Sequence, residues 1–374
     1  MRFRVGVIGA SGYIGVPYRR EMREVPEQFD IVAVCARRRD LLEAAGREDG
    51  AALVTTDWRE LVAHPDVDVV VVVVPDVMHY EIALECAAQG KHIVCEKPVA
   101  MNAREAYEVW CAYRDAGLGH MVPFWIRGVP VFPRVKQLLG EGLIGEVRAI
   151  VYRWHNPRLT SMPFTWRDDA EQSAAGSVAD GGSHAYDTMR WLTGLEARRV
   201  FAQAGVLAPP KPELGEVNLE EALAWSEAHD AADADSRRKG TAFDYGNLTF
   251  EMNNGAVGVL LVSHAPYLRT ALAPDVELHG EEASLAINRW TGDIRIARKP
   301  GESEHLETVT PPDAINNFRD MVHPALLATM AGEPTEMPEL HGGWRVQIFT
   351  DAAVASAERG AWVETAEFDA PYGG

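Results

Sequence analysis

The chain has 374 residues, 47% of them hydrophobic and 24% charged, which is the balance of a globular protein and too much chain for one ordinary core. Its formal net charge of -19 repels nucleic-acid phosphates and anionic membranes, so neither is expected as a partner. An anionic cofactor must then be held by a local positive site acting against the field of the whole chain.

The opening MRFRVGVIGA runs straight into a strand, without an apolar signal segment. The longest apolar run, Val67 to Pro75, is interrupted by Asp68 and is far too short to span a bilayer. Cys35, Cys86, Cys95 and Cys111 show no metal-type spacing, and Cys35 and Cys95 sit in strand-like apolar runs. Buried free thiols and a cytoplasmic location are expected. No metal site is expected, and His264 and His279 read as sheet residues.

From the N-terminus, Phe3 to Ile8 is an apolar strand ending in glycines. Gly9-Ala10-Ser11-Gly12-Tyr13-Ile14-Gly15 then leads into a helix read from Tyr13 to Val25. Glycines let a backbone turn tightly against a pyrophosphate, which the helix N-terminus stabilises, so Gly9, Ser11, Gly12, Tyr13 and Ile14 are candidate dinucleotide contacts. Tight packing of strand on helix can require the same glycines. The next strand, Asp30 to Cys35, ends in Ala36-Arg37-Arg38-Arg39. An acid at that tip would bond the ribose hydroxyl of NAD; here guanidinium groups suit a 2′-phosphate. NADP is therefore the expected cofactor, with NAD the alternative and solvated helix-start arginines the plain reading.

Val67 to Val74, almost pure valine, suits a strand covered on both faces of a parallel sheet. A helix from Glu81 to Gln89, a strand from His92 to Cys95 and a helix from Ala103 to Asp115 follow. Repeated strand–helix units with short turns predict a doubly wound parallel sheet over residues 1–122. Residues 123–374 read as an α+β domain. Its strands are Val147–Trp154, Ala242–Phe250, Ala256–Ser263, Val276–His279, Ser284–Asn288 and Asp293–Ala297, spaced as hairpins, with Asn253-Asn254-Gly255 marking one turn. Helices are read at Pro133–Leu139, Ala185–Leu192, Asn316–Ala331 and Trp344–Ala357. Pro209 to Gly240 reads as an exposed excursion carrying a short helix, Leu219–Ala228.

Two further motifs are specific. One is Val74-Pro75-Asp76-Val77-Met78-His79 followed by Glu96-Lys97-Pro98; the other is Asp180-Gly181-Gly182-Ser183-His184. With the opening loop and Leu143-Ile144-Gly145-Glu146-Val147 they resemble the glucose–fructose oxidoreductase / inositol dehydrogenase / rhizopine catabolism family over essentially the whole chain. The first loop is one residue longer than usual there, Asp76 stands where Asn is common, and the Pro209–Gly240 insertion is larger. The resemblance implies a Rossmann domain followed by an open, mostly antiparallel sheet that forms dimers or tetramers, with the substrate lying between the nicotinamide and the second domain. It also implies cofactor contacts from Val74, Pro75 and from Trp166-Arg167, for which a surface ion pair of Arg167 is the rival.

The chemistry of the motifs fits hydride transfer at a sugar, inositol or polyol carbinol. His184 is suited to take the hydroxyl proton, Lys97 to stabilise the alkoxide, and Asp180 to hold the imidazole tautomer. Ser183 is expected to cap the helix that carries His184, leaving Asp180 in the loop before it, and Asp187 reads as structural. Glu96 is expected to fix its loop or meet the nicotinamide ribose, and His79 to sit by the cofactor or serve the fold. Trp154 and Asn156 share a strand face that suits a sugar ring, and Trp125 and Arg127 are further candidate substrate contacts. Two alternatives stand beside the dehydrogenase: a redox-assisted glycoside-cleaving enzyme that retains its cofactor, and a non-catalytic cofactor-sensing binding protein.

Overall fold

The computed structural model describes residues 1–270, 272–312 and 314–369; the end of the second domain as read from the sequence, residues 370–374, lies outside them. The chain divides into two compact units, each organised on its own sheet. The first begins with β1 (Phe3–Ile8), α1 (Gly15–Arg23), β2 (Phe29–Cys35), α2 (Arg39–Asp49), β3 (Leu53–Thr55) and α3 (Trp58–Val62). It continues with β4 (Val69–Val72), α4 (His79–Ala88), β5 (His92–Cys95), α5 (Ala103–Ala116) and β6 (His120–Met121). Six strands pair in the order β3-β2-β1-β4-β5-β6, all parallel. The four valines of β4 are buried to the last, because a central parallel strand has helices over both faces. The sequence reading passed over α2, β3 and α3; β3 and α3, at three and five residues, are too short to show a period.

The second unit starts with a helical turn at Trp125–Gly128, α6 (Val131–Gly140), β7 (Val147–His155), a turn at Trp166–Asp168, α7 (Ser177–Thr193), β8 (Ala197–Gly205) and β9 (Lys211–Pro212). After α8 (Leu219–Ala228), which belongs to the first unit, it resumes with β10 (Arg237–Arg238), β11 (Tyr245–Met252), β12 (Val257–Ser263), β13 (Val276–Gly280), β14 (Ser284–Ile287), β15 (Asp293–Lys299) and β16 (Glu302–Thr308). Then come α9 (His323–Ala331), α10 (Leu340–Arg359) and β17 (Val363–Glu364). Nine strands run in the order β16-β15-β14-β13-β7-β12-β11-β8-β17. All neighbours are antiparallel except β7 and β12, which are parallel with Ser263 level with His155. The sheet is thus mixed and mostly antiparallel. In β11 the residues Gly246, Leu248, Phe250 and Met252 face inward and their alternates are half-exposed, the period-two pattern of a sheet covered by helix on one face. That helix is α7, packed over β7, β11 and β12.

The first unit is not closed at residue 122, where the sequence reading ended it. It also takes in Gly215–Ala228 and Ala314–Trp344. The reason is apolar surface: Phe318 meets the rings of Tyr18 at 5.3 Å and Phe29 at 5.5 Å, and His323 meets Phe3 at 5.7 Å. Asn316 Nδ2 donates to the Glu21 carbonyl at 2.8 Å, and the Val122 amide donates to the Pro338 carbonyl at 3.3 Å. The Trp344 indole stacks on Trp110 at 5.2 Å and 10°. His120, buried under this cover, accepts the Leu340 amide at Nδ1 (3.3 Å), and burial lowers its pKa to about 4.

Candidate active site

In the first unit the glycine loop is shaped by its own backbone. Gly9 has φ +92°, a conformation that L side chains rarely adopt, and a Cβ there would strike the Val73 carbonyl. The amides of Gly9 and Ala10 both donate to the Cys35 carbonyl, which seats the loop on the ends of β1 and β2. α1 opens at Gly15, two residues later than the sequence reading, with Ile14 as a cap that supplies no side-chain bond and with no acid in the first turn. Ser11, Gly12, Tyr13 and Ile14 therefore precede a helix N-terminus suited to an anion, and the loop fits a dinucleotide pyrophosphate.

At the tip of β2, Ala36 is buried and three arginines follow it before the first acid, Asp40. The two arginines expected to hold a 2′-phosphate each carry a glutamate: Arg38 Nη1 donates to Glu221 Oε1 at 2.7 Å, and Arg37 Nη1 to Glu216 Oε1 at 3.3 Å. Both glutamates come from the Gly215–Ala228 segment of the same unit.

Beyond β4 and β5 the chain forms two loops, Val74-Pro75 and Glu96-Lys97-Pro98, the second with a cis Lys97–Pro98 peptide. His79, one of the expected cofactor contacts, is fully buried. Its Nδ1 lies 2.7 Å from the Pro98 carbonyl and its Nε2 2.9 Å from that of Val74, so the ring clamps the two loops together. The imidazolium donates to both carbonyls and the neutral ring to one; burial pushes the pKa down, against the two carbonyls, which raise it. With both nitrogens so engaged, His79 serves the fold. Glu96 accepts the Tyr18 hydroxyl of α1 and the Lys97 amide, and burial raises its carboxyl above the usual range against the pull of Lys97. Glu96 thus ties the Lys97 loop to α1.

In the second unit the placement of the Asp180–His184 motif differs from the sequence reading. α7 begins at Ser177, capped by Gly176, so Asp180 lies in its first turn and His184 one turn further along. Ser183 is inside the helix, and its hydroxyl donates back to the Asp180 carbonyl at 3.1 Å. The sequence reading starts this helix only at Ala185, because Gly181-Gly182 reads as a loop. Gly181 has a packing purpose: a Cβ would fall on the indole Cδ1 and Nε1 of Trp154. That indole stacks on the His184 imidazole at 5.5 Å and 14°, while Phe124 meets the same imidazole edge-on at 5.8 Å. The Arg289 guanidinium lies 3.8 Å from the Trp154 ring. Trp154 was expected to present its face to a sugar; with His184 and Arg289 on the ring, it supports the imidazole instead. Asn156, just beyond β7, is exposed.

Asp180 meets two basic side chains: Arg158, which the sequence reading did not single out, and His264, which it takes for a sheet residue. Its Oδ2 lies 3.5 Å from Arg158 Nη2 and 3.4 Å from His264 Nε2. Arg158 and His264 are both buried, and each follows the end of a strand, β7 or β12. The parallel register of those strands brings their ends level, and the Arg158 amide donates to the His264 carbonyl at 3.0 Å. Hairpin spacing alone gave no sign of that pairing. Arg158 also approaches Asp168 at 4.0 Å, and Asp168 binds the buried Lys211 ammonium at 2.6 Å. Burial pushes the Asp168 carboxyl up, but Lys211 and Arg158 more than reverse this and hold it below the usual carboxylate range.

Arg127, a candidate substrate contact, forms a two-pronged ion pair with Asp187, Nε–Oδ2 at 2.8 Å and Nη2–Oδ1 at 2.6 Å. Both side chains are largely shielded, so this guanidinium is committed to the fold, and Asp187 is structural as read. Trp125 lies in the same half-buried turn. In the turn Trp166–Asp168, the Arg167 guanidinium stacks over the Trp166 ring at 4.3 Å. Among the described residues no group of three or more His, Cys, Asp or Glu is placed to hold a metal ion.

A parallel sheet with a glycine loop before its first helix, followed by a mixed sheet that carries an Asp–His helix, defines a nicotinamide-dependent oxidoreductase of two-part build. Residues 3–124 match the model of an oxidoreductase family with an NAD-binding Rossmann fold, and residues 132–286 that of the GFO/IDH/MocA C-terminal domain. The chain belongs to the Gfo/Idh/MocA oxidoreductase family. It is 26% identical to levoglucosan dehydrogenase of Pseudarthrobacter phenanthrenivorans, over 98% of this chain and 99% of that one. In fold it is similar to an oxidoreductase domain protein from Kribbella flavida (24% identity, 97% and 99% of the chains, TM-score 0.82). It is likewise similar to a levoglucosan dehydrogenase in complex with NADH (24% identity, 98% and 99% of the chains, TM-score 0.81).

Proposed function

We propose that the chain is a dehydrogenase or reductase that moves a hydride between a nicotinamide dinucleotide and a secondary carbinol or ketone of a sugar, inositol or related polyol. The observation that carries the reading is His184, held by Trp154 and Phe124 on the helix that also bears Asp180. The likeness to a levoglucosan dehydrogenase, at 26% identity, supports the substrate class.

A bound nicotinamide dinucleotide would supply the hydride acceptor for oxidation of the carbinol and the hydride donor for reduction of the ketone. In oxidation, His184 takes the hydroxyl proton, and the Lys97 ammonium offsets the negative charge that develops on the same oxygen. In reduction, His184 delivers the proton back. Asp180, itself beside Arg158 and His264, supplies negative charge one turn from His184 and favours its protonated form after transfer. Gly9, Ser11, Gly12, Tyr13 and Ile14 hold the pyrophosphate; Val74, Pro75, Trp166 and Arg167 complete the cofactor contacts, and Trp125 and Asn156 serve the substrate. The bare β2 tip favours NADP(H), but the glutamates on Arg37 and Arg38 weigh the other way, and we take NAD(H) as the cofactor of the intact chain.

The same proposal includes a cytoplasmic location, in keeping with four free cysteines. It also includes a homodimer or homotetramer through the second unit's sheet, whose outer residues Val259 and Leu261 are half-exposed. Among the described residues no helix is long and apolar enough to cross a membrane. A screen of sugars, inositols and their keto forms, followed by the absorbance of NADH and NADPH, is expected to give turnover with at least one polyol. Cofactor binding without turnover on any member of that panel overturns the substrate class.

A further inference from the structure

The Pro209–Gly240 excursion carries a device that bears on the cofactor. α8 starts with Asn218 and Glu221 in reciprocal capping: the Glu221 amide donates to Asn218 Oδ1, and the Asn218 amide to Glu221 Oε2, both at 2.9 Å. One carboxylate oxygen of Glu221 is thereby fixed, and the other, Oε1, faces Arg38 at 2.7 Å. Glu216, just before the helix, meets Arg37 in the same way at 3.3 Å. Arg38 is the residue preceding α2 at the tip of β2, the place where the adenosine ribose of a dinucleotide is read.

We propose that Glu221 determines cofactor specificity: by holding Arg38 from the insertion, it makes the first unit select NAD(H) against NADP(H). A 2′-phosphate carries close to two negative charges and needs the guanidinium to itself. To bind Arg38 it must displace Glu221, which stays nearby because its cap anchors it, with Glu220 next to it and Glu216 earlier in the same segment. A neutral 2′-hydroxyl meets no such repulsion. Glu221 is thus a positional substitute for the acid that β2 lacks, supplied about 180 residues later in the chain. Glu216 contributes less, because the Arg37–Glu216 pair is about 70% exposed on both sides and is screened by solvent.

The inference rests on the proposed dinucleotide-dependent function, and direct binding separates the two. Dissociation constants for NADH and NADPH are measured by tryptophan fluorescence quenching on the full chain without sugar, for wild type, Glu221→Gln, Arg38→Ala and the double variant. Glutamine preserves the capping geometry, so the fold is retained. The wild type is expected to bind NADH at least tenfold tighter. Glu221→Gln is expected to shift the ratio at least tenfold toward NADPH, and adding Arg38→Ala to reverse that shift. A ratio in Glu221→Gln within twofold of wild type, with an unchanged melting temperature, overturns the inference while leaving the dehydrogenase reading intact. Failure of the wild type to bind either dinucleotide overturns both.

Discussion

The Trp154 indole and the His184 imidazole stack at 5.5 Å with only 14° between their planes, and a missing side chain at Gly181 makes that approach possible. Glycine in a helix interior ordinarily costs about 1 kcal/mol relative to alanine. Here it is retained because the helix face at 181 is where the indole lies, and the indole sets the plane of the proton-transferring ring.

Gly181→Ala is therefore expected to lower stability by about 1–3 kcal/mol through overpacking, despite the gain in helix propensity. It should also reduce turnover at least tenfold as Trp154 shifts. Urea unfolding and turnover on the best polyol check this; an alanine variant matching wild type in both would show that the contact has slack.

Lys97→Ala should remove most turnover, about a hundredfold or more, while NADH binding stays close to wild type. The ammonium acts on charge present mainly in the transition state, so the loss belongs in kcat rather than in cofactor affinity. Near-normal kcat would end the assignment.

For His184 the check is a pair of pH profiles. Polyol oxidation should rise with pH through one ionisation, because the imidazole must start unprotonated, and ketone reduction should show the inverse dependence. His184→Ala should abolish that limb in both directions. If the limb survives the substitution, another group carries the proton.

His120 gives a stability prediction. Its pKa falls from 6.5 to about 4 on burial, so between those values the unfolded chain binds more protons. Its contribution is present above pH 6.5 and is lost as the pH drops toward 4, by up to about 3 kcal/mol. Protonating Nδ1 also removes the acceptor for the Leu340 amide. Unfolding free energies measured across that window should fall less steeply in His120→Asn; equal slopes would refute the assignment.

The Arg127–Asp187 pair should behave as a buried ion pair does. Asp187→Ala is expected to cost about 3–5 kcal/mol by stranding a guanidinium, and the Arg127→Met, Asp187→Leu double variant to cost much less. Chemical denaturation of the three proteins decides it.

Much of this was legible in the sequence, and the omissions have physical causes. Strands such as Val69–Val72 and the hairpin at Asn253–Gly255 announce themselves through burial pattern and turn chemistry. β8 carries Arg198, Arg199 and small residues, and so has little apolar signal. The Glu-Lys-Pro and Asp–His motifs pointed to chemistry, yet the Gly-Gly pair hid the first two turns of the helix that carries the second. Arg158 and His264 became visible only through a parallel strand pairing that no local pattern encodes. The glutamates on Arg37 and Arg38 lie far along the chain, and distance in sequence conceals charge pairing completely.

Phe318 and His323 complete the ring cluster around Phe3, Tyr18 and Phe29, so the first unit cannot mature when its own first segment has been synthesised. On a ribosome, residues 1–123 must wait in partly open form until residue 344 has emerged, with the second unit's strands made in the interval. A fragment cut at the apparent boundary would expose those aromatic faces and aggregate. Dissection of this enzyme for expression must therefore keep the late segment covalently or co-expressed with the early one.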